Sequence, residues 1–360
     1  VNVNLKKVIF FASMFSLTAV VCLAVFFGYF TYRAYSNPFH KVNVRYLGGS
    51  QFEADKEVGY AGTKNASIIE EFEGGKYHIY TDQRGARVSW PGRQIGSTIG
   101  IMTLGCSFAY GYRVENDNTF TEILGKKFGI AASNLSMPGY GTVHSLQTLK
   151  KNLDLRPKVI IYAFIPDHGR RNLSPCAINN SPFCRAVAHV DFNEKKEPYI
   201  HSPQFELFDP DLFKKFEEDV IYSGRFGLKD VLWRIRTDLY RFKEWRDIQY
   251  RDDAMSRKIS TAYLIKEMSE TAKSISAKLI IVYLPLFGKE HAQPPPEELL
   301  ASLNSEVLFV DMYPRVIEYY KKSSQALTIQ GDYAHPGDLG HELIARELEN
   351  IIRKKNLLKD

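Results

Sequence analysis

Five short stretches of this chain are apolar at nearly every position: Ile99–Leu104, Ile130–Leu135, Lys158–Ile165, Lys278–Leu284 and Val307–Asp311. Runs this short and this continuous predict strands buried on both faces. Between and after them, apolar residues recur at helical spacing. This predicts helices at Thr119–Phe128, Thr142–Leu153, Ser260–Ser276, Arg315–Lys322 and Gly340–Lys354. Strands alternating with helices imply an α/β fold, a three-layer α/β/α arrangement around a central parallel sheet. Ligand sites in such sheets lie beyond the carboxyl ends of the strands. The first three strand ends therefore direct Ser107, Gly139 and Asp167 toward one rim.

Three segments depart from this rhythm. Lys6 and Lys7 precede a run from Val8 to Tyr32 that lacks charge and ends in Phe-Gly-Tyr-Phe-Thr-Tyr before Arg33. At about 25 residues it is long enough to cross a bilayer as a helix and too long for a cleaved signal peptide. It predicts an uncleaved anchor over residues 1–35, with Lys6 and Lys7 favouring a cytoplasmic N-terminus and Arg33, Lys41 and Arg45 weakening that asymmetry. Residues 36–98 are polar and dotted with glycine, and predict a small β-rich lead-in packed on the main domain. Within the main domain, 99–360, a charged and aromatic insertion spans 170–259. Helical stretches are predicted there at Asp211–Tyr222 and Asp230–Trp245, and Trp233, Arg234, Tyr240 and Trp245 fit an amphipathic helix pair packed on the domain, a cleft wall or a face laid on a membrane surface.

The chain has 360 residues, 44% hydrophobic and 24% charged, enough for a full α/β core. A net charge of +6 with scattered Lys and Arg argues against a nucleic-acid partner. Four cysteines narrow the compartment. Cys176 and Cys184 share one loop, Ser-Pro-Cys-Ala-Ile-Asn-Asn-Ser-Pro-Phe-Cys, and read as a local disulfide; the alternative is two free thiols. A disulfide places the globular part outside the inner membrane, on its periplasmic or extracellular side. Cys22 is an apolar filler of the anchor. No cluster has metal-ligand spacing and no phosphate loop occurs, so neither metal nor cofactor is expected.

The first strand ends at Gly105, followed by Cys106-Ser107-Phe108; near the far end stands Gly331-Asp332-Tyr333-Ala334-His335-Pro336. A serine hydroxyl is a weak nucleophile until a base takes its proton. His335 can serve as that base, and Asp332 can hold its other ring nitrogen. Cys106 as nucleophile has no motif to support it; it reads as a small buried residue. His144 opens a helix beside the second strand end, and His341 reads as a surface or helix residue.

Gly105-Cys106-Ser107-Phe108, Asn134 to Gly139, and Asp332 to Pro336 resemble the first, second and fifth blocks of the SGNH (GDSL-type) hydrolases, from Ile99 to the C-terminus outside the insertion. The resemblance implies a membrane-anchored bacterial member with a flavodoxin-like sheet and a Ser107–His335–Asp332 triad. It implies an oxyanion site built from the N–H groups of Ser107 and Gly139, with Asp167 and His168 lining it. The third block departs from the pattern. Phe164-Ile165-Pro166-Asp167 stands where Gly-x-Asn-Asp is usual, and proline supplies no donor. His168, Arg170, Arg171 and Asn172 are the nearby candidates to replace it, while Asp167-His168 can also be a hydrogen-bonded turn. The implied reaction is ester hydrolysis, as an esterase or deacetylase of cell-envelope glycan. The alternatives are O-acyl transfer to an envelope polysaccharide and a non-catalytic envelope scaffold.

Overall fold

Among the described residues, six strands precede the strand that leads to the serine. They are β1 (Arg45–Leu47), β2 (Phe52–Asp55), β3 (Gly59–Gly62), β4 (Ser67–Phe72), β5 (Gly75–Thr81) and β6 (Arg87–Val88). Then come β7 (Ile101–Leu104), β8 (Ala132–Asn134), β9 (Val159–Phe164), β10 (His189–Phe192), β11 (Pro198–His201), β12 (Lys278–Tyr283) and β13 (Leu308–Asp311). The helices are α1 (Ser107–Tyr110), α2 (Phe120–Phe128), α3 (Thr142–Lys151), α4 (His168–Leu173), α5 (Ala254–Ser274), α6 (Glu297–Leu300), α7 (Tyr313–Lys322) and α8 (Asp338–Lys354). This computed structural model describes residues 13–25, 28–29, 45–72, 75–177, 186–204 and 252–359.

The five apolar runs pair side by side in parallel, in the order β8-β7-β9-β12-β13. Their side chains alternate between two cores. Met102, Leu104, Ile160, Tyr162, Ile281 and Tyr283 face one layer, with Val143 and Leu146 of α3 and Leu264 and Met268 of α5. Ile101, Val159, Ile161, Ala163, Ile280 and Val282 face the other, with Phe120 and Leu124 of α2 and Ile344 and Leu348 of α8. Burial on both faces explains why these strands read as unbroken apolar runs. The chain goes from β7 outward to β8, then crosses back to β9 on the other side of β7. That reversal opens a crevice at the carboxyl end of β7, where doubly wound sheets hold their ligands.

The lead-in is not a separate body packed on the sheet. Its strands extend the same sheet in the order β1-β4-β5-β6, antiparallel throughout, and β6 joins β8 through the pair Arg87↔Asn134. The sheet is therefore mixed, with nine strands, rather than purely parallel. The hairpin β2–β3 folds separately; Val58 and Tyr60 pack with Tyr110, Met137 and Tyr140 of the main domain.

In the insertion, the described residues include the β10–β11 hairpin. The helices expected at 211–222 and 230–245, with Trp233, Arg234, Tyr240 and Trp245, lie outside the described residues. Cys176 is disulfide-bonded, Cys106 and Cys22 are free, and Cys184 lies outside the described residues. Of the expected anchor, residues 13–25 are helical with exposed side chains, including Phe15 and Val25. Such a segment is about 20 Å long at 1.5 Å per residue. Among the described residues no helix is long and apolar enough to cross a membrane.

Candidate active site

Strand β7 stops because Gly105 adopts φ +151°, a conformation L side chains avoid. A side chain there would also press on Ala163 O and the Ala109 methyl, at 3.0 and 3.1 Å. The chain turns through extended Cys106 into α1, a single turn that ends at left-handed Gly111. Ser107 is its first residue, 8% exposed. Cys106 is fully buried, and burial pushes its thiol up despite the Arg171 charge and the Phe108 N–H. A raised thiol pKa disfavours the reactive thiolate, which fits the small-core reading of this residue.

The second half of the site comes from the loop before α8. Asp332 folds that loop around itself: Oδ1 accepts the N–H groups of Ala334 (2.5 Å) and His335 (3.0 Å). The loop is pinned to the core by Phe287 N–H donating to Ala334 O and Gly288 N–H to Tyr333 O, at 3.0 and 2.9 Å. His335 then presents both ring nitrogens. Nδ1 lies 2.8 Å from Asp332 Oδ2, and Nε2 lies 2.9 Å from Ser107 Oγ. These partners assign the tautomer: Nδ1–H donates to the carboxylate, and Nε2 accepts the serine proton. The imidazole is held between the rings of Phe108 and Tyr112, with centroids 4.8 and 5.0 Å away. Residues 228 positions apart thus meet, and the geometry is that of a nucleophile, a base and an orienting carboxylate.

Burial pushes the Asp332 carboxyl up. The hydrogen bond and charge of His335 and the two loop N–H groups outweigh that and bring it down to about 2. A carboxylate depressed from 3.8 adds stability that is in place above pH 4 and is lost as pH falls toward 2, about 2 kcal/mol in all. In Asp332→Ala, the fall in melting temperature between pH 4 and pH 2 is expected to be shallower than in the parent chain, as calorimetry across that window can show.

Gly139 lies in the turn after β8, at φ +87°. The Tyr60 hydroxyl donates to Pro138 O at 2.6 Å, and a Cβ on residue 139 would sit 2.5 Å from that hydroxyl. The turn is tied to the serine strand, since Met137 N–H donates to Gly105 O at 3.0 Å.

The expected role of His168 is not met. Asp167 is engaged by Arg170 and Arg171, at 3.0 and 2.9 Å. His168 is 0% exposed and stacks against Tyr162, its Nδ1 2.7 Å from the Tyr162 hydroxyl. Burial, then the Arg171 and His144 charges, drive its pKa well below the ordinary value, so it is a neutral core histidine. The reason is local. Helix α4 starts at His168 itself, and this ring is buried against Tyr162 and Phe164 of β9.

Nor is Asn172 a replacement donor. Its Nδ2 donates to the Thr142 hydroxyl at 3.1 Å, and its Oδ1 accepts the Thr142 and Val143 N–H groups and caps α3. Arg171 donates to Tyr140 O at 3.0 Å, and Arg170 is on the surface. His144 is buried, accepting the Gly141 N–H. His341 is helical but fully buried rather than on the surface, accepting the Phe120 N–H. Phe108 and Tyr112, which cradle the imidazole, went unnoticed in the sequence. Their one available signal was position, one and five residues past the serine.

No family model matches the chain, and no curated protein matches it. Among solved structures it is similar to LAE5, an alpha/beta hydrolase from the metagenome of Lake Arreo. That match has 11% identity and a TM-score of 0.38, and covers 74% of this chain and 99% of that one. It is similar to a catalytic mutant of Axe2, an acetylxylan esterase from Geobacillus stearothermophilus, with 12% identity, 72% and 95% coverage and a TM-score of 0.36. A third is the psychrotrophic esterase EstA from Pseudoalteromonas sp., with 12% identity, 72% and 98% coverage and a TM-score of 0.35.

Proposed function

We propose that this chain is a serine ester hydrolase of the SGNH type. The observation that carries the reading is the unbroken relay from Ser107 Oγ through His335 to Asp332, at 2.9 and 2.8 Å. In the proposed reaction, Ser107 Oγ attacks the ester carbonyl as its proton passes to His335 Nε2. Asp332 stabilises the imidazolium. The tetrahedral intermediate collapses, His335 returns the proton to the leaving alkoxide, and water then cleaves the acyl-serine by the same route. The N–H groups of Ser107 and Gly139 are the proposed oxyanion donors. With Pro166 supplying none, one donor is missing, a loss worth roughly 3–4 kcal/mol where it has been measured. The turnover expected is accordingly slow.

Acetyl esters of cell-envelope glycan are the proposed substrates, with the N-terminal apolar segment holding the enzyme at the inner membrane and its globular part outside. The Cys176 disulfide supports an oxidising compartment. A sugar hydroxyl in place of water would make the same acyl-serine an O-acyltransferase. Pro166 favours a second reading, a glycan-binding scaffold that has lost turnover. A fluorophosphonate probe tests the proposal. Mass spectrometry should find the phosphonyl adduct on Ser107 in the parent chain, and an unlabelled Ser107 would leave the scaffold reading standing.

A further inference from the structure

The residue that joins the lead-in to the parallel sheet is a buried cation. Arg87 lies on β6, 3% exposed, directly across from Asn134 on β8, and this is the pair through which the two strands meet. Both side chains reach over to the end of α1. Arg87 Nη1 donates to Tyr110 O and Gly111 O at 2.8 and 2.7 Å, and Nη2 donates to Val114 O at 2.8 Å and His78 O at 3.2 Å. Asn134 Nδ2 donates to Ala109 O at 3.0 Å. The guanidinium also stacks on the Tyr110 ring, 4.7 Å from its centroid. No carboxylate among the described residues forms an ion pair with it; the nearby Glu70 is held by Arg113.

A short helix whose last carbonyls are unmet by its own backbone needs outside donors. Here Asn134 of β8 supplies one, and the other, Arg87, comes from a segment that lies before the hydrolase-like region. The same segment holds the other side of the rim, because Tyr60 donates to Pro138 O next to Gly139. Resting on the serine-hydrolase reading, we infer that the lead-in sets the geometry of the site, with Arg87 a positioning residue for Ser107 and Tyr60 a positioning residue for the Gly139 turn.

The mechanism is orientation. Ser107 Oγ must stay within hydrogen-bond reach of His335 Nε2, and α1 is one turn long, so a shift at its end moves its first residue. Lysine keeps the charge but cannot span four carbonyls from one planar fork.

The test uses the full chain with p-nitrophenyl acetate as substrate and a fluorophosphonate to count active sites. In Arg87→Met, kcat per titrated site should fall about 100-fold with KM unchanged, the scale expected when a reacting group is misplaced by an ångström. Arg87→Lys should lie between Arg87→Met and the parent chain, and Tyr60→Phe should lower kcat several-fold. Amide exchange should quicken at residues 107–114 in the Arg87 variants. A purely structural role would lower the number of titratable sites or the melting temperature and leave kcat per site unchanged. That result overturns the inference. If Arg87→Met does not fold, Arg87→Lys and Tyr60→Phe decide by the same readout. Failure of the parent chain itself to label or hydrolyse sinks the serine reading, and the inference with it; a labelled, active parent whose three variants keep its kcat per titrated site sinks the inference alone.

Discussion

Ser107→Ala should lose ester hydrolysis by about 10⁴-fold or more in kcat while the protein stays folded. The hydroxyl meets His335 Nε2 and lies beside the buried Cys106 thiol. It caps no helix, since α1 is capped by the backbone of Cys106. Alanine suits the first turn of a helix and leaves no cavity of consequence, so stability should change by less than about 1 kcal/mol. The two measurements belong together. A melting curve that overlays the parent's, beside a p-nitrophenyl acetate rate near background, assigns the loss to chemistry. Retained hydrolysis in Ser107→Ala would move the reaction to another group.

A comparable loss is expected for Asp332→Asn, about 10⁴-fold in kcat, from a change of one atom. The asparagine oxygen can still accept the Ala334 and His335 N–H groups, so the loop should keep its shape. Its amide nitrogen would then face His335 Nδ1 and donate where the carboxylate accepted. That forces the ring proton onto Nε2, which meets Ser107 as a donor and can no longer take the serine proton. Nitrogen-15 shifts of the imidazole would report the inverted tautomer directly. Full activity with an inverted tautomer would remove His335 from the role of base.

Asp332 and His335 contrast with His168. Asp332 and His335 were legible because the chemistry is carried within four positions. An Asp that accepts the N–H of the residue three ahead and also meets its side chain is a local motif, and the loop builds it unaided. Ser107 was legible through Gly105 and the apolar strand before it. His168 was misread because its sequence neighbours place it at a strand end without saying which way the ring turns. That direction was settled by Tyr162, six residues back, whose hydroxyl offered a buried partner. Asn172 reads in sequence as a candidate oxyanion donor, yet the start of α3, thirty residues earlier in the chain, takes both ends of its amide.

Arg87 carried no signal at all. It sits in a two-residue strand within a polar stretch, where a single arginine reads as solvated surface. Only the placement of β6 beside β8 brings it over the end of α1.

By itself the sequence determined the parallel core and singled out the serine, histidine and aspartate that the fold brings together. Continuous apolar runs can only be satisfied by burial on both faces, and a serine, a histidine and an aspartate announce their chemistry by type. Tertiary structure alone decided that the lead-in completes the sheet, that His168 turns inward and that Arg87 braces the serine helix. Those outcomes depend on which distant carbonyls and hydroxyls remain unpaired after the core has closed, and a buried polar side chain goes wherever such a partner is left.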